Sequence, residues 1–426
     1  MADTPGNHAP ANEERNAKRF IWSNGLQNIG DQIVAPKTVL PWLFTAAGVP
    51  HIFTAAGVPH IFTSLLVPAR ESLSMLPQAF LSPWVTSHKS RKRVWLIGSW
   101  GQAIAAGLIA LSALLFDGWL LGIAVVVLLA ILALFRALCS IAGKDVQGRT
   151  ISKGNRGLIT GRATALAGAF TLAIGLILMF LPDELPAWGL AALLALGAST
   201  WAFASLVFRG IEEPEPEESK SDGANMQQVW ELVKSDTDLQ RFLLVRSLML
   251  VTALSTPFIV VLASEQGADL SGLGAFIIAS GGASLLGGRI SGLWSDKSSK
   301  RTMAWSAGFA SAVLVALVAS ARLAPDNVNA WVFPAGFFLV NLAHTAVRVS
   351  RKTYLVDMAE GDRRTVITGA SNTVMGVVLL VVGGISSVVS IFGPQATLLF
   401  LAVVGFAGVF GASSLKEVSA QNAENS

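Results

Sequence analysis

The sequence predicts an all-α membrane protein of about twelve transmembrane helices arranged as two six-helix halves. Three observations carry this expectation. The chain has too few charges to coat a soluble globule, it contains a row of apolar runs of bilayer length, and it repeats itself at an offset of just over 200 residues.

Composition sets the solvent. Of 426 residues, 52% are hydrophobic and only 14% are charged, against roughly 25% charged in a soluble domain. The mean hydropathy is +0.57. Lipid must therefore solvate much of the surface. The net charge of +4 does not indicate nucleic acid, because the basic residues sit in short clusters between apolar runs, where the positive-inside rule places them. One cysteine, Cys139, allows no internal disulfide. Residues 1–19 read as a cytoplasmic tail, with Arg15, Lys18 and Arg19 just ahead of the first span and no cleavable signal.

A helical span needs about 20 mostly apolar residues. Ten segments qualify directly: 94–116, 119–139, 158–181, 186–207, 242–263, 271–293, 303–323, 329–348, 366–392 and 395–414. Two more, near 20–46 and 60–85, are long enough but carry charges and prolines. The connectors support a count of twelve. Even-numbered ones hold Lys89, Arg91, Lys92 and Arg93, then Lys144, Arg149, Lys153 and Arg156, then Lys297, Lys300 and Arg301, then Arg351, Lys352, Arg363 and Arg364. Odd-numbered ones are acidic, with Arg322 as their one basic residue. This alternation puts both termini in the cytoplasm of a cell whose inner membrane holds the protein.

The long connector divides the chain. An N-terminal half spans 20–207, a cytoplasmic linker 208–241, a C-terminal half 242–414, and a tail 415–426. The linker opens on Glu212, Glu213, Glu215, Glu217 and Glu218 and reads as a disordered acidic stretch. It continues with Met226, Val229, Trp230 and Val233 at the spacing of an amphipathic surface helix.

Ser87–Arg93 (SHKSRKR) and Ser295–Arg301 (SDKSSKR) share five of seven residues at an offset of 208. Arg136 and Asp145 correspond to Arg348 and Asp357 at an offset of 212. Two matches in register, each joining span n to span n+6, indicate a two-fold repeat of six helices. A separate tandem copy, FTAAGVPHI at 44–52 and 53–61, falls at the span 1–2 turn, and its copied histidines His51 and His60 receive no metal role.

The connector after span 8 resembles the signature of the major facilitator superfamily. Gly292, Asp296, Lys297, Lys300 and Arg301 occupy signature positions, Ser299 replaces the second glycine, and His88 stands where the first-half copy would have Asp. The resemblance implies two six-helix halves around a midplane substrate site, with alternating access by rocking. It also implies a gating role for the connector. Gly292 would allow close helix contact and Asp296 would pair with a base or a helix N-terminus. A basic connector serving topology alone is the competing reading.

Charge within the spans marks candidate transport residues. Asn24, Gln27, Asn28 and Asp31 share one face of span 1, followed by Pro36, Lys37 and Pro41. Span 2 carries Arg70 and Glu71 between Pro68 and Pro77. Each mid-helix charge costs about 2.5–3.5 kcal/mol on insertion scales, so pairing or hydration is expected. Lys37 with Glu71, and Arg70 with Asp31, are feasible pairs. The cluster reads in three ways: a proton-coupling site, a site for a charged substrate group, or a structural ion-pair network, with Lys37 and Arg70 in the structural role and Asp31, on its polar stripe, the better coupling candidate. Arg136, Arg246 and Arg348 read as snorkelling residues near cytoplasmic ends. His344 reads as a packed or hydrogen-bonded histidine.

Neither metal-ligand spacing nor a nucleophile–base pair occurs, and no phosphate-cradling loop ends in Lys-Ser/Thr. The expectation is a non-enzyme without cofactors, a permease for a small solute, with lipid and protons as its other partners. The alternative is a receptor or assembly factor on the same fold.

Overall fold

The computed structural model describes residues 12–45, 58–78, 81, 84–85, 88–151, 156–180, 187–213, 231, 233–267, 270–358 and 363–418. Among these, all regular structure is helical. The first set of helices is α1 (Glu13–Ile33), α2 (Val39–Thr45), α3 (His60–Met75), α4 (Arg91–Leu115), α5 (Gly118–Thr150), α6 (Arg156–Met179) and α7 (Ala187–Arg209). The second is α8 (Thr237–Leu248), α9 (Val251–Leu254), α10 (Thr256–Glu265), α11 (Leu270–Lys297), α12 (Ser299–Leu323), α13 (Asp326–Asp357), α14 (Arg363–Val389) and α15 (Pro394–Ser413).

Among the described residues, eight stretches are long and apolar enough to cross a membrane. The predicted span 1 is broken into α1 and α2 around Pro36 and carries charge, as does α3. The apolar parts of α6 and α11 among the described residues, Leu166–Leu178 and Leu273–Gly287, are shorter. Leu115, Trp119, Phe180, Trp305 and Phe410 are exposed on the outer surface. So much exposed apolar surface fits lipid, not water. The protein is a multi-pass integral membrane protein.

Helices outrun the apolar runs that predicted them. The fourth span was expected to end at 139 and the tenth at 348, yet α5 reaches Thr150 and α13 reaches Asp357. Hydropathy marks the part of a helix that meets lipid, whereas the hydrogen-bonded helix continues through Lys144, Asp145 and Arg149. Span 7 was expected to be continuous. It is instead interrupted at Met249–Leu250 and Ser255, ahead of Pro257. Its counterpart in the first set is the break at 34–38, so the two interruptions sit at equivalent places in the repeat.

The packing repeats as well. In the first set α4 packs on α5 and α7, and α1 packs on α6 and α7. In the second, α12 packs on α13 and α15, and α8 packs on α14 and α15. The sets meet most extensively through two equivalent pairs, α3 with α14 and α6 with α11, and α10 also packs on α2 and α3. Close approach at the first pair needs a glycine: a Cβ on Gly383 would lie 2.3 Å from Pro68 Cγ. Nearby, Ser64 Oγ donates to Ser387 Oγ at 2.6 Å. His60, unassigned by sequence, lies 3.0 Å from Glu265 and ties α3 to α10. His51 lies outside the described residues.

The duplicated connectors build the same latch twice. Ser90 caps α4 by accepting from Arg93 N, and it donates to Glu213 at 3.0 Å. Glu213 also accepts from Arg91 N and Lys92 N at 3.0 and 3.2 Å, and Lys92 Nζ donates to Ile211 O at 2.9 Å. In the second set Ser298 caps α12 by accepting from Arg301 N at 3.2 Å and donates to Glu417 at 2.7 Å. Lys300 Nζ donates to Ser413 O and Leu415 O at 3.2 and 2.5 Å. A carboxylate at a helix N-terminus satisfies free N–H groups and the helix dipole. Glu212 and Glu213 are therefore not part of a disordered stretch. Glu212 pairs with Arg15 and accepts Asn12 Nδ2 at 2.6 Å. Residues 214–230, with most of the expected surface helix, lie outside the described residues.

Candidate functional site

A cavity of about 210 Å³ lies between the two sets of helices. Its walls follow from local sequence. The break after Ile33 turns the chain at Ala35, whose carbonyl accepts from Thr38 N and Leu40 N at 3.4 and 3.1 Å. Asp31, Gln32, Pro36 and Lys37 thereby line the cavity from α1 and the break. Just after Pro68, α3 supplies Arg70 and Glu71. The helix α5 supplies Arg136, and α11 supplies Ser280 and Ser284 at a spacing of four. From α13 come Asn341, His344, Thr345, Arg348 and Arg351, which form one helical stripe.

Asp31 is the hub of the first set's charges. Arg70 Nη2 donates to Asp31 Oδ1, and Arg136 Nη1 donates to Oδ2 at 2.6 Å. Arg70 is 3% exposed and its Nη1 is buried without a partner. Lys37 and Glu71 line the same cavity without an ion pair between them within 4 Å. His344 Nδ1 and Thr252 Oγ1 are hydrogen-bonded at 3.0 Å. Ser280 reaches Gln32 across the sets at 3.5 Å.

The structure thus brings Asp31, Lys37, Arg70 and Glu71 together on one cavity. It also corrects three readings. Arg136 and Arg348 do not snorkel: both line the cavity, and they are one of the two pairs matched at the 212-residue offset. Arg246 is 6% exposed and donates to the Ser371 hydroxyl. Arg351, read from sequence as a connector residue, also reaches the cavity. The repeat offset was the signal that could have placed Arg348 opposite Arg136, and the 341/344/345/348 periodicity could have extended the site along α13.

The signature connector is a separate region. Lys300 and Arg301 begin α12 and Lys297 ends α11, at the latch described above. Gly292 and Asp296 fall within α11, but their side chains lie outside the described residues. Among the described residues no group of His, Cys, Asp and Glu is placed to hold a metal ion.

No protein-family model matches the sequence. No curated protein matches it either. Solved structures do match the fold. A D-xylose–proton symporter superposes with a TM-score of 0.68 at 13% identity, over 95% of this chain and 98% of that one. A point mutant of the nucleoside transporter NupG gives 0.71 at 12% identity, over 94% and 99%. A POT family transporter bound to a thioalcohol-conjugated peptide gives 0.68 at 10% identity, over 93% and 95%. At these identities the likeness is one of fold alone: the chain shares the fold of these transporters.

Proposed function

We propose that the protein is a secondary transporter that moves a small solute across the cytoplasmic membrane by alternating access. The observation that supports this most is the cavity between the two helix sets, lined by charged and polar groups from both. An assembly factor has no need of such a polar cavity; a receptor would bind a solute there without carrying it across. In this reading twelve spans form two six-helix halves, 20–207 and 242–414, the linker 208–241 is cytoplasmic, and so are both termini. The latches at Ser90–Glu213 and Ser298–Glu417 then sit at the cytoplasmic face. The contacts of His60 with Glu265 and Ser64 with Ser387 close the outer end.

For coupling, Glu71 is the candidate we favour. Asp31 is occupied by two arginines, so protonating it would break both ion pairs. Among the described residues Glu71 has no ion pair within 4 Å, so protonating it breaks no direct contact. Asp296, in the signature connector, is proposed to stabilise one conformation of the gate.

The test is uptake by proteoliposomes under an imposed pH gradient, using solutes that differ between cells with and without the protein in an untargeted metabolite comparison. Gradient-driven accumulation is expected. A protein that binds such solutes yet carries none across the bilayer would be a receptor. Topology has its own check: a cysteine at Asp222, on a Cys139→Ser background, should be labelled only from the cytoplasmic side.

A further inference from the structure

We infer that the cavity binds a small organic or inorganic anion carrying at least two negative charges. The inference rests on the transporter reading and names its substrate class. Among the described residues, five cationic side chains, Lys37, Arg70, Arg136, Arg348 and Arg351, face two carboxylates, Asp31 and Glu71, an excess of three positive charges. Both oxygens of Asp31 are already engaged by Arg70 and Arg136. Glu71 is one carboxylate for the remaining three cations. Among the described residues Arg348 and Arg351 meet no carboxylate within 4 Å.

Two further features point to a ligand. Arg70 is almost fully buried and keeps one guanidinium nitrogen, Nη1, without a partner. Arg246, also buried, lies behind Arg351 in a small adjoining pocket shared with His344, so positive charge is reinforced on that wall. Unpaired charge of one sign in a low-dielectric interior is unfavourable unless a counter-charge occupies the space. Arg348 and Arg351, one turn apart on α13, present two planar forks suited to carboxylate or phosphate oxygens. Lys37, on the break between α1 and α2, faces the same space as a point charge. Asn341, Thr345, Ser280 and Ser284 supply neutral hydrogen-bonding groups around it. A volume of about 210 Å³ is below the range of drug-sized sites, which suits a compact solute.

The test uses the full-length purified protein at low ionic strength. Thermal shift and calorimetric titration are run with inorganic phosphate, succinate and glycerol 3-phosphate as dianions. Xylose and uridine serve as neutral probes and choline as a cation. At least one dianion should raise Tm and bind saturably. Its Kd should rise at least tenfold in Arg348→Gln and in Arg351→Gln, and Arg348→Lys should recover part of the affinity. The variants must elute as the same monodisperse species as the wild type; where one does not, the Lys variant carries the comparison. Two results overturn the inference: no dianion binds at millimolar concentration, or dianions bind equally well to the Gln variants. The transport reading fails separately. Dianions that bind through Arg348 but never cross proteoliposome membranes would leave the site standing and remove transport. A neutral solute that crosses while no dianion binds would do the reverse.

Discussion

Arg136 and Asp31 are joined at 2.6 Å, and the same carboxylate also accepts from Arg70. One acidic side chain on α1 therefore ties together α1, α3 and α5 at the wall of the cavity.

The first prediction concerns that hub. Asp31→Asn removes the shared negative charge and one of its two acceptor oxygens, leaving Arg70, which is 3% exposed, without a counter-charge in direct contact. Breaking a buried ion pair by removing one partner costs about 3–5 kcal/mol. Thermal unfolding in detergent should show a clear drop in Tm, and adding Arg70→Met should restore part of it. A single variant as stable as wild type would remove the structural role.

Glu71→Gln should behave differently. Among the described residues its carboxylate has no ion pair within 4 Å, so the variant should stay folded with a near-normal Tm. In proteoliposomes it should lose accumulation driven by a pH gradient while keeping solute exchange, because exchange needs no net change in protonation. Retained accumulation in Glu71→Gln would reject the coupling assignment.

The latches predict a matched pair of effects. Glu213→Ala frees the α4 N-terminal N–H groups and the Ser90 hydroxyl that it accepts. Loss of a capping side chain costs about 0.5–2 kcal/mol. Lys300→Met, which releases the carbonyls of Ser413 and Leu415, should destabilise by a comparable amount. Differential scanning fluorimetry of both variants should give similar downward shifts. If only one connector responds, the two latches are not equivalent.

The signature connector has its own test. Asp296→Asn should reduce transport with expression and membrane insertion near normal. Wild-type transport by this variant would leave the connector a topological and latching role only.

Gly383→Leu should act through packing. Even a methyl group there would meet Pro68 at 2.3 Å, so a larger side chain must push α14 away from α3. Overpacking typically costs about 1–3 kcal/mol. Gly384→Leu, on the same helix with open space at its Cβ position, is the control and should be far milder. Equal effects of the two substitutions, read by Tm and by transport, would contradict this account.

Much of the fold was legible in the sequence because membrane solvation leaves plain marks. Runs of apolar residues give the helices that meet lipid, and clusters of Lys and Arg give the connectors. The 208- and 212-residue offsets foretold the repeated packing of α4 on α5 and α12 on α13. The break at Pro36 was not foretold, because span 1 was read as one helix over 20–46 with prolines in it. By itself, then, the sequence determined an all-helical membrane protein with an internal repeat and a charged interior in α1 and α3.

Tertiary structure decided what those charges face. Arg136 and Arg348 lie 212 residues apart, and hydropathy reads each as a charge at the end of a span. Only the meeting of the two helix sets turns both inward onto one cavity. The same packing brings Arg351 in from what read as a connector, changing a balanced cluster of two acids and two bases into a cavity with excess positive charge. The physical reason is that electrostatic character belongs to a volume. Side chains from α1, α3, α5 and α13 fill that volume together, and no local stretch of sequence contains their sum.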